Sequence, residues 1–260
     1  MRHNPIKTRL ANRQPCRGIW LSLPNPYSAR LLARLPVDWL AIDAEHTPLD
    51  TSVLAQMIAA IAEARRPAPI VRLSQASVQN VKFALDNGAY GIIAPMINTR
   101  AEAEQVVAWS RYPPLGQRSF GSHYMGLAFD STMLEYLQEG NQQVLVSVQI
   151  ENVAALDNLE EIFSVPGIDL AFVGPADLSI SMGLDMVLEN PHPRFLEALR
   201  LIQHTAEAHQ LPLGIYCSNG KAAAERIRQG FLFVNVTSDV NSLLRAVQEE
   251  LEEALIETKI

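Results

Sequence analysis

Eight short apolar segments recur along the chain and constrain its fold more than any other feature. Each is at most eight residues long and consists mainly of Ile, Val, Leu, Ala or Phe. Polar and apolar residues do not alternate within them, which is typical of strands buried on both faces of a parallel sheet. The sequence therefore predicts strands at 18–23, 38–43, 69–73, 91–96, 144–151, 169–174, 213–217 and 231–236.

Segments with helical periodicity separate these strands. The sequence predicts helices at 52–65, 77–87, 99–110, 193–209, 220–229 and 240–256. Alternating strands and helices imply a parallel sheet with right-handed crossovers. Eight such units in 260 residues favour one closed (β/α)8 TIM barrel, an α/β fold, over an open sheet or two domains.

The first residues are basic and contain no acid before Asp38. An organellar transit peptide would have this composition, but the first predicted strand leaves only a short segment for it. We therefore expect a flexible N-terminal arm over residues 1–16, followed by a barrel domain over residues 17–260.

Charge and cysteine content exclude several classes of partner and site. The net charge of −7 argues against nucleic acid or an anionic membrane, which bind basic surfaces. No apolar run approaches the ~18 residues of a transmembrane helix. Cys16 and Cys217 form neither a disulfide framework nor a zinc site, and they suit a reducing cytoplasm.

Polar side chains follow four of the predicted strands. They are Asp43, Glu45 and His46 after the second strand, Arg72 in the third, Glu151 in the fifth and Asp177 after the sixth. Barrel enzymes carry catalytic groups at the carboxyl ends of their strands. Because neighbouring strands lie about 4.8 Å apart, Glu151 and Asp177 can converge on one divalent cation. Taken singly, Asp177 also suits a helix cap and Arg72 a structural ion pair.

A divalent cation, an arginine and a histidine together suit enolate chemistry on a 2-oxo acid. The arginine stabilises a developing oxyanion, and the histidine moves a proton near neutral pH. None of the four lysines (Lys7, Lys82, Lys221 and Lys259) stands at the carboxyl end of a predicted strand, which argues against a Schiff-base mechanism. No phosphate-binding glycine motif indicates a nucleotide cofactor.

Six motifs stand in the predicted strands and in the connections between them. They are Trp-Leu-Ala-Ile-Asp-Ala-Glu-His at 39–46, Val-Arg at 71–72, Ala-Pro-Met at 94–96, Arg-Tyr-Pro-Pro-Leu-Gly-Gln-Arg at 111–118, Val-Gln-Ile-Glu at 148–151 and Gly-Pro-Ala-Asp-Leu-Ser at 174–179. In order and spacing they make the chain resemble, across about residues 16–250, the HpcH/HpaI family of class II, metal-dependent pyruvate aldolases. The family includes 4-hydroxy-2-oxoheptanedioate and 2-dehydro-3-deoxyglucarate aldolases. The resemblance implies a TIM barrel of the phosphoenolpyruvate/pyruvate type.

The resemblance also implies how substrate and metal are held. Glu151 and Asp177 would be the ligands of Mg²⁺, Mn²⁺ or Co²⁺, with Gln149 beside the ion. Arg72 would hold the pyruvate oxygens and stabilise the enolate. The backbone amides of Ala176 and Asp177 would bind the pyruvate carboxylate.

Proton transfer and assembly are implied in the same way. His46 would be the acid/base group, working through metal-bound water, and Asp43 and Glu45 would support the site. Asp86 matches the aspartate that pairs with this histidine, within one chain or across a subunit boundary. The family forms hexamers, as trimers of dimers, with the last helix packed on a neighbouring subunit. The apolar stripe of 240–256 suits either this exchange or packing on the chain's own barrel.

The acceptor side departs from the family pattern. Ser119 follows Arg118 where the family commonly has glycine, and Tyr216 and Cys217 replace smaller or aliphatic residues. We expect segments 111–143 and 175–192 to follow strands and to lie over the mouth of the barrel. On that basis Arg118, Ser119, His123, Tyr216 and Cys217 are candidates for the acceptor pocket.

Three functions remain open at this stage. The first is reversible cleavage of a 4-hydroxy-2-oxo acid to pyruvate and an aldehyde. The second keeps the enolate site but decarboxylates oxaloacetate or acts as a citrate-lyase-β-like acyl-CoA lyase. The third is a barrel without turnover that binds or scaffolds. The expected partners are small 2-oxo acids and aldehydes and further copies of the chain, with no nucleic acid or membrane.

Overall fold

Eight parallel strands close into a barrel in the computed structural model, which describes residues 1–256. The strands are β1 (Cys16–Leu21), β2 (Trp39–Asp43), β3 (Ala68–Arg72), β4 (Gly91–Ala94), β5 (Leu145–Ile150), β6 (Leu170–Val173), β7 (Leu213–Ile215) and β8 (Phe233–Ser238). Each strand pairs with the next along the chain, and β8 pairs with β1. The predicted (β/α)8 TIM barrel is confirmed.

Helices surround this barrel and fill the connections between its strands. They are α1 (Pro5–Ala11), α2 (Pro26–Leu32), α3 (Thr51–Glu63), α4 (Val78–Asp86), α5 (Arg100–Ser110), α6 (Tyr124–Ala128), α7 (Met133–Gln143), α8 (Val153–Asp157), α9 (Leu159–Phe163), α10 (Pro175–Ser181), α11 (Pro193–Ala208), α12 (Gly220–Arg228) and α13 (Asp239–Ile256). The six helices expected from periodicity are all present. No helix within residues 1–256 is long and apolar enough to cross a membrane.

The lower barrel interior is filled by a stacked aromatic pair. The rings of Trp39 and Phe233 lie parallel, with centroids 4.0 Å apart, and both side chains are fully buried. Gly18 faces Trp39 across the β1–β2 pair. A Cβ atom at position 18 would lie 2.0 Å from Trp39 Cδ2, so the indole occupies the space that a side chain there would need.

The N-terminal segment is packed rather than flexible, so the arm expected over residues 1–16 is a wrong prediction. Ile6 and Leu10, one helical turn apart in α1, are buried against the amino-terminal end of the barrel. The Asn4 Nδ2 atom donates hydrogen bonds to the carbonyls of Tyr90 (2.9 Å) and Gln143 (2.8 Å). These contacts close the barrel from below, because they satisfy carbonyls beside the first residues of β4 and β5.

Segment 111–143 lies at the amino-terminal end of the barrel, so its predicted position over the mouth is wrong. It follows α5, not a strand, and a chain leaving a barrel helix returns to the end where strands begin. Accordingly, Arg111 NH1 donates to the carbonyl of Val144 (2.9 Å), just before β5. Arg111 NH2 pairs with Asp169 (2.9 Å), just before β6. Segment 175–192 does follow a strand, and Leu188 reaches the mouth.

The apolar stripe of α13 faces solvent in this chain. Its exposed members include Leu243 (53%), Leu244 (63%), Val247 (50%) and Leu251 (55%). The sequence left two alternatives for this stripe, packing on a neighbouring subunit or on the chain's own barrel. The chain's own barrel does not cover these side chains. Apolar patches of this kind mark interaction surfaces.

Replacing Gly18 by alanine is expected to destabilise the barrel by about 1–3 kcal/mol, because the added methyl overpacks the Trp39 site. Urea unfolding followed by circular dichroism measures this change. Gly121→Ala is the matched control, since a Cβ there meets nothing within 4 Å. Equal free energies of unfolding for the two variants would contradict the packing account.

Candidate active site

A cavity of about 190 Å³ opens at the carboxyl end of the strands. It is lined by Trp20, Ser22, Asp43, His46, Arg72, Gln149, Phe172, Gly174, Pro175, Ala176, Asp177, Leu188 and Tyr216. A larger cleft of about 560 Å³ lies at the opposite end of the barrel, beside α1. That cleft contains none of the residues predicted to be catalytic, so the smaller cavity is the candidate active site.

Arg72 is fixed in this cavity by a two-pronged contact with Asp43. The two residues face each other across the β2–β3 pair. Arg72 Nε lies 3.0 Å from Asp43 Oδ1 and NH2 lies 2.5 Å from Oδ2. Burial by itself would raise the pKa of Asp43, but the hydrogen bonds and charge of Arg72 outweigh it and hold that pKa below its usual value. Asp43 therefore stays ionised and orients the guanidinium.

Trp20 is a site residue that the sequence analysis missed. Its Nε1 donates to Asp43 Oδ2 (3.2 Å), and the Arg72 guanidinium lies 5.1 Å from its ring centroid. Tyr216 meets the same ring edge-on, with centroids 5.4 Å apart. The signal was hard to find, because a tryptophan within an apolar strand is typical of a core residue.

Glu45 and His46 lie in a tight turn that Asp43 organises. Their backbone N–H groups both donate to Asp43 Oδ1, at 3.1 and 3.2 Å. Glu45 Oε2 lies 3.0 Å from Arg72 NH1 and 3.8 Å from His46 Nε2. Burial raises the pKa of Glu45, against the opposing charge of Arg72. The His46 side chain is 61% exposed at the rim, so its ring can exchange protons with solvent.

Glu151 is buried at the end of β5 and held from two sides. Its Oε1 accepts the Met96 backbone N–H (2.8 Å), and its Oε2 accepts from Gln149 Nε2. Met96 has φ +55°, a left-handed conformation that is uncommon for methionine. Gly174 makes room for the carboxylate, because a Cβ atom there would lie 2.6 Å from Glu151 Oε2.

The donor atoms around Glu151 suit a divalent cation. Burial raises the pKa of Glu151, and the nearby charges of Glu45 and Asp177 raise it further. Asp177 is exposed and its carboxylate makes no hydrogen bond or ion pair within residues 1–256, and Gln149 Oε1 is buried without a hydrogen-bonding partner there. A cation would relieve this repulsion and use these oxygens, which are hard donors. Within the described chain no group of three or more acidic, His or Cys side chains is placed to hold a metal ion.

Four predicted site residues lie away from the cavity in the same chain. Arg118 packs between the rings of Tyr112 and Tyr136, with centroids 4.6 and 5.5 Å away, and its NH2 pairs with Asp86 at 3.0 Å. Ser119 and His123 belong to the same segment at the amino-terminal end. The prediction that Arg118, Ser119 and His123 line this chain's acceptor pocket is therefore wrong. The predicted pair of Asp86 with His46 does not form within the chain, and across a subunit boundary it stays a prediction.

The two residues predicted after β7 have different positions. Tyr216 lines the cavity, and burial raises the pKa of its phenol. Cys217 is buried behind it and does not line the cavity: its N–H donates to Asn235 Oδ1 and its carbonyl accepts from Asn235 Nδ2, both at 2.8 Å. Asn235 thus ties the end of β7 to β8, so the Cys217 prediction is wrong.

The model of the HpcH/HpaI aldolase/citrate lyase family matches residues 17–246. A hydroxypyruvate/pyruvate aldolase of Rhizorhabdus wittichii is 36% identical over 251 residues, which are 96% of this chain and 98% of that protein. A 4-hydroxy-2-oxo-heptane-1,7-dioate aldolase of Shigella sonnei is 38% identical over 247 residues, covering 94% of this chain and 92% of that protein. These relatives are named as aldolases, which are carbon–carbon lyases.

A solved structure supports the same relationship. The crystal structure of a family protein from Burkholderia cenocepacia superimposes with a TM-score of 0.89 at 36% identity, covering 96% of this chain and 99% of that one. The region matched by the family model contains all eight strands and lacks only Cys16, the first residue of β1. The chain belongs to the HpcH/HpaI aldolase/citrate lyase family, as its motifs indicated.

Proposed function

We propose that this protein is a divalent-metal-dependent aldolase that reversibly cleaves a 4-hydroxy-2-oxo acid to pyruvate and an aldehyde. One observation carries the proposal: the fixed guanidinium of Arg72 shares a cavity with the carboxylate of Asp177, and the buried carboxylate of Glu151 lies beside Gln149 and Gly174, which line that cavity. Such an arrangement suits an enolate intermediate, because positive charge is held in place before negative charge develops. The named activities of the two aldolase relatives support the same reaction class.

Glu151 and Asp177 would hold Mg²⁺, Mn²⁺ or Co²⁺, with Gln149 Oε1 turned toward it. When bound, the ion would polarise the 2-oxo group as a Lewis acid. The substrate carboxylate would accept from the backbone amides of Ala176 and Asp177, which lie in the first turn of α10 and lack intrahelical partners.

Arg72 would stabilise the enolate, and His46 would transfer the proton. In cleavage, His46 takes the proton of the C4 hydroxyl group, the C3–C4 bond breaks and the aldehyde leaves. The bonding electrons pass to the enolate oxygen, which Arg72 stabilises, and His46 then returns its proton to C3 to give pyruvate. Trp20, Leu188 and Tyr216 form a largely apolar wall that would face the aldehyde.

Related reactions use the same enolate. Loss of carbon dioxide from oxaloacetate would leave the pyruvate enolate against Arg72, and the family name also covers citrate lyases. Product analysis with oxaloacetate, an acyl-CoA thioester and 4-hydroxy-2-oxo acids would separate these activities. Turnover of any of them would contradict a barrel that only binds or scaffolds.

We also propose that the active protein is a homo-oligomer in which a second copy covers the apolar stripe of α13. Several large side chains of this stripe are at least half exposed, and burying each one is worth roughly 1.5–3 kcal/mol. The acidic residues beside the stripe keep the rest of the helix polar, so the exposed apolar surface is confined to one face. A hexamer of this family type, a trimer of dimers, would bury it.

Removing the metal is the first test of the proposed reaction. EDTA should abolish aldol cleavage, and Mg²⁺, Mn²⁺ or Co²⁺ should restore it, because the carboxylates alone cannot polarise the substrate. Glu151→Gln should weaken Mn²⁺ binding at least about tenfold in a direct titration, while Glu225→Gln, which alters an exposed ion pair, should not. Inactivation by borohydride with pyruvate would instead indicate a Schiff-base lysine.

Arg72→Ala is expected to lower both aldol cleavage and exchange of the pyruvate C3 protons by about 10²–10³-fold, because both pass through the same enolate. Exchange in D₂O is followed by proton NMR. Arg65→Ala is the control, since Arg65 pairs with Asp130 (2.7 Å) on the surface. Retained exchange in Arg72→Ala would remove Arg72 from the enolate step.

Val247→Lys is expected to reduce the oligomer to smaller species, because the new charge cannot be buried at an apolar interface. Sedimentation velocity measures the change, and circular dichroism checks that the barrel remains folded. Ala246→Lys adds the same charge on another face of α13 and should leave the assembly intact. Identical sedimentation of both variants and the unmodified protein would contradict the proposed interface.

A further inference from the structure

Asp239 joins the end of β8 to the end of β1 through one buried carboxylate. The residue is 7% exposed. Its Oδ1 accepts the backbone N–H of Ser22 (2.8 Å) and of Val240 (2.8 Å), and its Oδ2 accepts that of Leu23 (3.0 Å). Two of these three hydrogen bonds come from the residues that follow β1, so this carboxylate fixes the chain where it leaves that strand.

Ser22 connects this anchor to the next strand end. It lines the active-site cavity, and its carbonyl accepts from the Thr47 hydroxyl at 3.5 Å. Thr47 directly follows His46. The turn after β2 therefore contacts Ser22, whose backbone N–H donates to Asp239 on the far side of β1.

His46 has few contacts of its own that could orient it. Its ring is 61% exposed and lies 3.8 Å from Glu45 Oε2, and its backbone N–H donates to Asp43 Oδ1 at 3.2 Å. The turn that carries the ring is thus held at its start by Asp43 and at its end by the Thr47–Ser22–Asp239 connection. A misplacement of about 1 Å in a catalytic group can cost about 10²-fold in rate.

From these contacts we infer that Asp239 is a positioning residue for His46, acting through Ser22 and Thr47. The inference rests on the proposed acid/base role of His46. The groups proposed to bind metal and substrate stand on β3, at the end of β5 and in α10, outside this connection. They are Arg72, Gln149, Glu151, Ala176 and Asp177. Loss of the Asp239 contacts should therefore slow proton transfer and leave pyruvate binding unchanged.

Asp239→Asn tests this separation with almost no change in side-chain volume. The new amide turns one N–H₂ group toward a backbone N–H, so at least one of the loop contacts is lost. With Mg²⁺ and pyruvate in D₂O, the exchange rate constant at saturating pyruvate should fall at least about tenfold, while the KM for pyruvate stays within about twofold.

Asn219→Ala is the matched control for the loss of a helix cap. The Asn219 side chain also accepts two backbone N–H groups, from Lys221 and Ala222 (both 3.0 Å). It stands between β7 and α12, away from His46. The control should lower the melting temperature about as much as Asp239→Asn does and leave exchange within about twofold of the unmodified protein.

Thr47→Val cuts the same connection at its other end, and it also serves if Asp239→Asn does not fold. It should lower exchange with unchanged KM, and the double variant should fall no further than Asp239→Asn alone. Exchange in Asp239→Asn equal to that in Asn219→Ala, or a raised KM with an unchanged rate constant, overturns the inference. Absence of exchange in the unmodified protein with Mg²⁺, Mn²⁺ and Co²⁺ would instead contradict the proposed function on which it rests.

Discussion

The contact between Arg72 and Asp43 is the constraint on which the rest of the site depends. Both side chains are buried, so each charge needs the other, and breaking such a pair costs about 3–5 kcal/mol. Asp43 also receives the N–H groups of Trp20, Glu45 and His46. One carboxylate therefore orients both the Arg72 guanidinium and the turn that carries His46.

Around Glu151, in contrast, negative charge is in excess. Glu151 is buried with only a backbone amide and an uncharged amide as hydrogen-bond donors, and Asp177 and Glu45 add like charge nearby. Arg72 faces Glu45 and Asp43, so it cannot also neutralise Glu151. The charge that the fold leaves uncompensated is therefore negative and lies beside free oxygen donors, which is the electrostatic basis for the proposed cation.

Much of the fold could be predicted because its period is simple, and the errors have physical causes. Strands buried on both faces form apolar runs, and all eight were found. Helix α1 was not predicted because seven residues with only two buried apolar side chains give almost no periodicity. Segment 111–143 was placed at the wrong end because α5 intervenes between it and β4. Its helix α7 did carry a signal, the capping box of Thr132 and Glu135.

Site residues at strand ends could be predicted from the sequence better than site residues in the connections between elements. Residues at strand ends inherit their position from the barrel, which is why Asp43, Arg72, Gln149, Asp177 and Tyr216 line the cavity as expected, with Glu151 beside Gln149. Residues in connections depend on which end of the barrel they occupy. Asp86 and Arg118 are held together at the amino-terminal end, with the guanidinium enclosed by two tyrosine rings. His46 stands at the carboxyl end, so the expected pair of Asp86 and His46 can form only between two subunits. If it forms, the proposed site is completed by the proposed assembly.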